Sequence, residues 1–311
     1  MGKCHPGDRQ KGLIMRQPKI SIIAVNFHQP EVTIELLESL KNINAYSNLE
    51  VVLVDLEQSS DSAKKYHGVY PELIYLPVNS NPGFAGANNI GRNQASGEML
   101  FFLNNDTVVT ANLLSTLVQV LLNNPEIGIV SPVIRYHSEP EKIQFAGAEE
   151  ISLKTGRNYT HQQVPEGSET DWRSSAFIHG AAMMISASLF DQLGSFNESY
   201  FLYYEEYDLA MKAKIAGKKL ALATEAEVFH KASVSTGRNS PLRTYYMNRN
   251  RIQFIRNFAN RLEFIYFSLF FSCVAMPKQL LTFFWQRDFK NIIGLFRAWF
   301  DGVTLKTGKS F

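Results

Sequence analysis

The stretch Leu100-Phe101-Phe102-Leu103-Asn104-Asn105-Asp106-Thr107 runs from apolar residues into a short polar cluster that ends in a carboxylate. A buried strand has this form when it delivers one acid to the rim of a sheet. A rim carboxylate beside two amides can hold a hard divalent cation, Mg or Mn, which takes oxygen ligands and bridges phosphates. Asp55 follows Val51 to Val54 in the same way, so a second acid stands at the end of a second strand. It can accept hydrogen bonds from a base or a sugar. Either acid alone caps a following helix or turn as readily as it meets a ligand.

Three further groups carry chemistry. In Asn81-Pro82-Gly83-Phe84-Ala85-Gly86-Ala87, glycines permit close backbone approach. The helix expected over Asn88 to Ser96 then offers its first N–H groups to an anion. No Gly-Lys-Ser/Thr follows, and the strict dinucleotide-binding glycine spacing is missing, which excludes both of those phosphate loops. In Tyr203-Tyr204-Glu205-Glu206-Tyr207-Asp208-Leu209, three acids crowd the first turn of an expected helix. The helix dipole alone favours such a cluster. Glu205 and Glu206 point in different directions, so one can brace the turn while the other faces a cleft as a general base. His230 follows a late strand; taken alone, such a histidine is more often a packing or surface residue than a ligand.

The elements that position these residues alternate. Strands are expected over Ile20 to Val25, Val51 to Val54, Leu73 to Leu76, Leu100 to Leu103 and Ile127 to Ser131. Between them lie helices over Thr33 to Lys41, Ser62 to Tyr66, Asn88 to Ser96 and Leu113 to Leu122. This alternation predicts an α/β fold with a mostly parallel sheet flanked by helices, whose ligands bind at the carboxyl ends of the strands. From Ile134 to Ser175 the pattern loosens into an insert that suits a hairpin and a mobile loop. Ala181 to Ile185 is apolar again, Ser188 to Leu193 suits a short helix, Glu205 to Ala216 a helix closed by Gly217, and Leu220 to Ala223 a strand. From Tyr245 onward the chain reads as helical, basic and aromatic.

The chain has 311 residues, enough for one large α/β domain plus an appendage. We divide it into a flexible tail over 1–18, a catalytic domain over 19–240 and a helical extension over 241–311. With 45% hydrophobic residues a sizeable core forms, and a net charge of +2 is too mild to imply nucleic acid as a partner. Two cysteines, Cys4 and Cys273, lie near opposite ends, which argues against a disulfide framework and for a reducing compartment. The sequons at Asn158 and Asn197 matter only in a secretory lumen, and the polar, basic stretch Met1 to Gln17 is no secretory signal. No uninterrupted run reaches the roughly 18 apolar residues expected of a membrane-spanning helix; Phe264 to Met276 comes nearest.

In order and approximate spacing, these pieces resemble inverting glycosyltransferases of family 2 with the nucleotide-diphospho-sugar transferase (GT-A) fold. The nearest group is similar to bacterial rhamnosyltransferase-type enzymes of surface-polysaccharide assembly. The resemblance runs from about Lys19 to Ser235. It rests on Ser21 to Phe27, Val54-Asp55, Asn81 to Asn89, Leu103 to Thr107, His179-Gly180-Ala181-Ala182, Glu205 to Leu209 and His230. Tyr245-Tyr246-Met247-Asn248-Arg249-Asn250 resembles the Arg-Asn segment that follows the catalytic domain in this group.

The resemblance implies roles. Asp55 contacts the nucleotide base, with Asn26, Asn81, Gly83, Phe84, Asn88, Asn104 and Asn105 around the donor. Asp106 binds Mg or Mn, and His230 completes the metal or diphosphate site. His179 and Gly180 face the acceptor. Glu206 is the base within the acidic group Glu205, Glu206 and Asp208. A base removes the acceptor proton and the hydroxyl inverts the anomeric carbon in one displacement, so no Ser or Cys nucleophile is required. The implied donor is a nucleotide-diphosphate sugar, with rhamnose or another deoxysugar first; the implied acceptor is a polyprenyl-linked glycan.

The sequence departs from the family in three places. Glu206 stands where Asp is usual, Leu56-Glu57-Gln58-Ser59-Ser60-Asp61 differs from the usual segment after the first acid, and His28 replaces a common Asn. These departures motivate an alternative, a catalytically silent nucleotide-sugar-binding subunit. A nucleotidyltransferase is disfavoured because no basic, Gly-rich activation loop stands near the N-terminus. Arg243, Arg249, Arg251, Arg256 and Arg261 alternate with aromatic and aliphatic residues ahead of the apolar stretch, a pattern suited to an anionic membrane surface or to packing on the domain. The expected location is the bacterial cytoplasm, peripheral to the inner face of the cytoplasmic membrane.

Overall fold

The computed structural model describes residues 17–43, 46–57, 60–164, 171–231 and 240–310. Most of the tail expected over 1–18, and the departing residues Gln58 and Ser59, lie outside them. The chain runs β1 (Ile20–Asn26), α1 (Pro30–Lys41), β2 (Leu49–Asp55), α2 (Ser60–Val69), β3 (Ile74–Pro77), α3 (Gly83–Gln94), β4 (Met99–Leu103), β5 (Thr107–Val109), α4 (Leu113–Asn123) and β6 (Ile127–Tyr136). After β7 (Ile143–Phe145), β8 (Trp172–Ser174), β9 (Ala182–Ser186) and α5 (Ala187–Gln192) come a short 3-10 turn (Glu198–Tyr200), α6 (Glu205–Ile215) and β10 (Lys219–His230). The extension holds α7 (Pro241–Phe258), α8 (Arg261–Phe270), a π-helical turn (Phe271–Ala275), α9 (Met276–Trp285) and α10 (Phe289–Val303).

One mixed sheet has the order β3-β2-β1-β4-β9-β6-β10-β5, and its β3-β2-β1-β4 half is parallel. Side chains alternate across it as the pleat requires. Ile20, Ile22, Phe101 and Leu103 enter one core with Leu36, Leu40 and Leu117 of the helices on that face. Ile23, Leu100 and Phe102 enter another with Ala85, Phe190 and Leu209. The mostly parallel α/β sheet flanked by helices is therefore the observed fold, with antiparallel strands added in its second half. Among these, β9 matters most. It pairs with β4 through Leu103 and Ala182, so the residues just before it share the rim with those just after β4.

Several boundaries differ from expectation for identifiable reasons. α3 starts at Gly83 rather than Asn88, because Asn81 Oδ1 accepts from Gly83 N at 2.9 Å and turns the chain into the helix at once. β6 passes through Pro132 to Tyr136, well beyond Ser131. Pro132 has no ladder N–H to offer, and the partner strand bulges opposite it, between Ala223 and Glu227. That bulge carries β10 on to His230, which is the strand's last residue rather than one that follows it. The expected hairpin in the insert forms around Gly156, through bridges Ala148–Thr160 and Ser152–Arg157.

The reading of the apolar tail needs correction. Arg261–Trp285 is one continuous helix of 25 residues, long and apolar enough to cross a membrane by length and composition. The π-helical turn lies just ahead of Pro277 and takes up the hydrogen-bond register that the proline disrupts.

α3 reaches the sheet by close approach at Gly91, where a Cβ would lie 2.5 Å from the fully buried Ile23 Cγ2. Gly91→Ala is expected to destabilise the fold by about 1–3 kcal/mol through overpacking, read from the urea midpoint at unchanged slope.

Candidate active site

The rim of the parallel half carries a closed polar frame. Asp55, fully buried, accepts from Asn26 Nδ2 at 2.8 Å, from Glu57 N at 3.1 Å and from the Tyr75 hydroxyl at 2.8 Å. Burial and the hydrogen bond to Asp55 push the Tyr75 phenol above its ordinary range, so it remains a donor. Asn26 Oδ1 accepts from Gln29 N at 3.2 Å and Thr33 Oγ1 at 3.0 Å, and Asn105 Nδ2 donates to the same threonine at 3.0 Å. Asn26 and Asn105 thus tie β1, α1 and the end of β4 together before any ligand arrives. Asn88, another expected donor contact, is buried and donates to Phe84 O at 2.9 Å, so its amide serves its own helix. Asn104 is half-buried, with its backbone N–H on Ala181 O at 2.9 Å.

Past that frame, Asp106 faces His230. Asp106 Oδ1 lies 3.1 Å from His230 Nε2 yet makes no hydrogen bond, and both residues are buried. His230 Nδ1 lies 2.8 Å from Gln144 Oε1, so the ring is held between that amide and the Asp106 carboxylate. The ring of His179 stands 5.9 Å from that of His230, and its Nδ1 accepts from Ala181 N at 3.1 Å. Burial, then the neighbouring His230, lowers His179 to about 3, so it is a neutral imidazole. Among the described residues no group of three or more His, Cys, Asp or Glu surrounds a common point. The carboxylate oxygen left without a hydrogen bond and the imidazole nitrogen beside it fit a divalent cation only as a partial set, with remaining ligands to come from outside the chain.

The acidic cluster lies beyond the strap formed by His179 and Gly180. A Cβ on Gly180 would sit 3.7 Å from Glu206 Oε1, so the strap lies against that carboxyl. Glu205 is buried and Glu206 half-buried. Burial, then the charge of Glu206, raises the Glu205 carboxyl well above the ordinary range; burial raises Glu206 as well, opposed by backbone N–H donors and by Glu205. The two carboxyls therefore act on each other rather than pointing apart as expected, and both bind a proton more readily than exposed carboxyls do, Glu205 the more strongly. Asp208, grouped with these acids on sequence, is turned inward instead. It accepts from the Tyr200 hydroxyl at 3.2 Å and pairs with Lys212 at 2.7 Å, which braces the turn.

The backbone leading to the pair is unusual. Phe201, Tyr203 and Tyr204 have φ of 65°, 67° and 78°, a left-handed region that side chains disfavour. The start of α3 locks onto the same turn. Phe84 N donates to Phe201 O at 2.7 Å, and a Cβ on Gly83 would fall 2.2 Å from that oxygen. Gly83 N and Phe84 N are both used within the protein, on Asn81 Oδ1 and Phe201 O, so with α3 starting at Gly83 the first N–H groups of this helix are not those expected at Asn88. Sequence reasoning missed Thr33, Tyr75 and Gln144. Thr33 alone left a signal, as a polar residue on the apolar side of α1.

Because Glu205 binds its proton more tightly folded than unfolded, its contribution is present below the ordinary carboxyl range and is lost as pH rises through and beyond it. Glu205→Gln is expected to raise the Tm by a few degrees at about pH 8 and to change it little at about pH 4, in thermal scans across that range.

Comparison with known proteins points one way. The sequence model described as "Glycosyltransferase like family 2" matches residues 18–254. The O-antigen biosynthesis protein RfbC of Myxococcus xanthus is 28% identical over 70% of this chain, which spans only 18% of that protein. The low-salt glycan biosynthesis hexosyltransferase Agl10 of Haloferax volcanii is 27% identical over 75% of this chain and 74% of its own. The N-acetylglucosaminyl-diphospho-decaprenol L-rhamnosyltransferase of Mycobacterium tuberculosis is 26% identical over 71% of this chain and 78% of its own. In structure, the mannosyltransferase PcManGT of Pyrobaculum calidifontis, in complex with GDP-Man and Mn2+, superposes with a TM-score of 0.59 at 16% identity, over 94% of this chain and 89% of its own. S. aureus TarS 1-349 gives 0.55 at 16% identity, over 84% and 74%. These two share the GT-A fold. With the family's model covering the whole sheet and every group at its rim, the chain belongs to glycosyltransferase family 2.

Proposed function

We propose that this protein transfers a sugar with inversion from a nucleotide-diphosphate donor to a hydroxyl of a lipid-linked or growing glycan. Rhamnose or another deoxysugar is the first choice. The observation that carries this reading is the Glu205–Glu206 pair behind the Gly180 strap, on the same rim as Asp106 and His230. The names of the mycobacterial rhamnosyltransferase and of the archaeal mannosyltransferase complex support the acceptor class, the donor class and the cation.

In this reading Glu206 accepts the proton of the attacking hydroxyl. Its extra methylene relative to Asp extends the carboxylate toward the Gly180 strap, with Glu205 beside it. Asp106 and His230 would hold Mg or Mn, which when bound neutralises charge on the departing nucleoside diphosphate. The frame of Asn26, Asp55, Thr33, Tyr75 and Asn105 holds the donor side rigid, so substrate placement costs little reorganisation. His179, kept neutral, adds no cation to the acceptor side.

The extension supplies a membrane contact in the same proposal. The inner face of the long helix, with Phe267, Phe271 and Met276, shares a core with Ile252, Phe254 and Leu295. Its outer face leaves Leu262, Leu269, Phe284 and Trp285 exposed, and α10 adds Phe289, Ile293 and Phe300. A helix packed lengthwise on the protein, with 22% of its apolar stretch buried, suits lying in the lipid interface at the inner face of the cytoplasmic membrane.

Nucleotide sugars screened by thermal shift with Mn should select one donor. With that donor, Glu206→Gln is expected to lower transfer about 10³-fold while donor binding persists. Full activity in the variant removes Glu206 from the role, and donor binding without transfer by the native protein favours the silent subunit. In flotation with vesicles containing an anionic lipid, Phe284→Asp with Trp285→Asp should weaken binding by about tenfold or more; unchanged flotation overturns the membrane contact.

A further inference from the structure

The turn Ser199–Tyr204 is held from outside the α/β domain. Asn250 of α7, fully buried, donates through Nδ2 to the carbonyls of Tyr200 at 3.0 Å, Leu202 at 2.8 Å and Tyr203 at 2.7 Å. Its Oδ1 accepts from Arg249 Nε at 2.8 Å. Arg249 is itself fully buried and donates to Ser199 O at 3.1 Å, Tyr200 O at 2.7 Å and Gly308 O at 2.6 Å. Its guanidinium stacks over Tyr246 at 4.9 Å. A buried guanidinium usually meets a carboxylate. Among the described residues Arg249 has no acidic partner within ion-pair distance, and its fork is used on backbone oxygens.

These carbonyls converge because of the left-handed residues between them. Phe201, Tyr203 and Tyr204 hold positive φ, and such a conformation persists only where its surroundings over-determine it. Glu205 and Glu206 follow directly as the first residues of α6. A relaxed turn would rotate the start of α6 and move the carboxyl pair away from the Gly180 strap.

We propose that Arg249 and Asn250 are positioning residues for the transfer reaction: by clamping the turn Ser199–Tyr204 from the extension, they aim the Glu206 carboxylate. This rests on the reading of Glu206 as the base. The pair does not touch the reacting atoms, and α3 is also held independently by Asn81 Oδ1 on Gly83 N and by Asn89 on the backbone of Phe196, so the pair acts on turnover through Glu206 and leaves donor affinity alone.

The test uses the full chain, dTDP-rhamnose with Mn as donor and polyprenyl-diphosphate-linked N-acetylglucosamine as acceptor. Asn250→Ala is expected to lower kcat about 10²-fold with donor KM within about twofold. Arg249→Lys, which keeps the charge but loses the fork, should lose about tenfold and covers the case in which Asn250→Ala folds poorly. In the Glu206→Gln background, Asn250→Ala should cost no more than about threefold further, since both changes act on one group. Hydrogen exchange needs no substrate, and Asn250→Ala should speed the amides of 199–208 about tenfold or more while those of β1 and β4 hold. Native kcat in Asn250→Ala, a full additional loss in the double variant, or unchanged exchange at 199–208 overturns the clamp. Full activity in Glu206→Gln instead overturns the reading beneath it, and the exchange result then still reports on the clamp.

Discussion

The joint around Phe201 is the constraint on which the site depends. Its carbonyl receives Phe84 N and stands where any side chain at residue 83 would be. That single contact fixes the start of α3 against the loop that introduces α6. Without glycine at 83 the two could not meet, and without the left-handed turn the carbonyl would not point at α3. The start of α3 and the acids beyond the strap therefore meet at one piece of backbone.

The same rim solves two electrostatic problems differently. Asp106 is buried beside an imidazole that also meets Gln144, and one oxygen of the carboxylate has no hydrogen bond. Glu205 and Glu206 lie against each other, and burial raises both carboxyls above the ordinary range, Glu205 the more strongly. One station is suited to receive positive charge and the other to receive a proton. Acids set in environments this different can take different roles, as the proposed transfer requires.

Much of this could be read in the sequence because local pattern and site coincide. A strand of β-branched or aromatic residues ending in an acid marks a rim, as with Val51 to Asp55 and Leu100 to Asp106. What escaped detection depends on partners far away in the chain. The frame that Asn26 and Asn105 close could not be read, because the partners of an amide at a strand end are unknown until Thr33 and Asp55 are seen beside it. Pro132 argued for a strand end, and only the bulge in β10 opposite it allows β6 to continue. Gln144 sits in an insert with no periodicity, so nothing marked it as the residue that orients His230. The long helix Arg261–Trp285 was hidden by its serines, its lysine and Pro277, which break an apolar run but not a helix.

The extension is bound into the site rather than hung from it. Tyr200, which precedes the left-handed residues, and Tyr204, the last of them, lie in one apolar cluster with Ile252, Phe254, Phe267 and Phe271 of α7, α8 and the π-helical turn. Arg251 Nε donates to the Tyr204 hydroxyl at 3.1 Å, and Gly308 N donates to Ser199 O at 2.7 Å, so the chain beyond α10 returns to the same place. Packed interiors respond to displacement as units. A helix whose outer face is apolar and whose inner face is part of the core under Glu205 has no independent position to adopt. Any surface that met Leu269 and Phe284 would therefore meet a helix whose other face packs in one cluster with Tyr200 and Tyr204, and the proposed membrane contact would orient the acids through that packing.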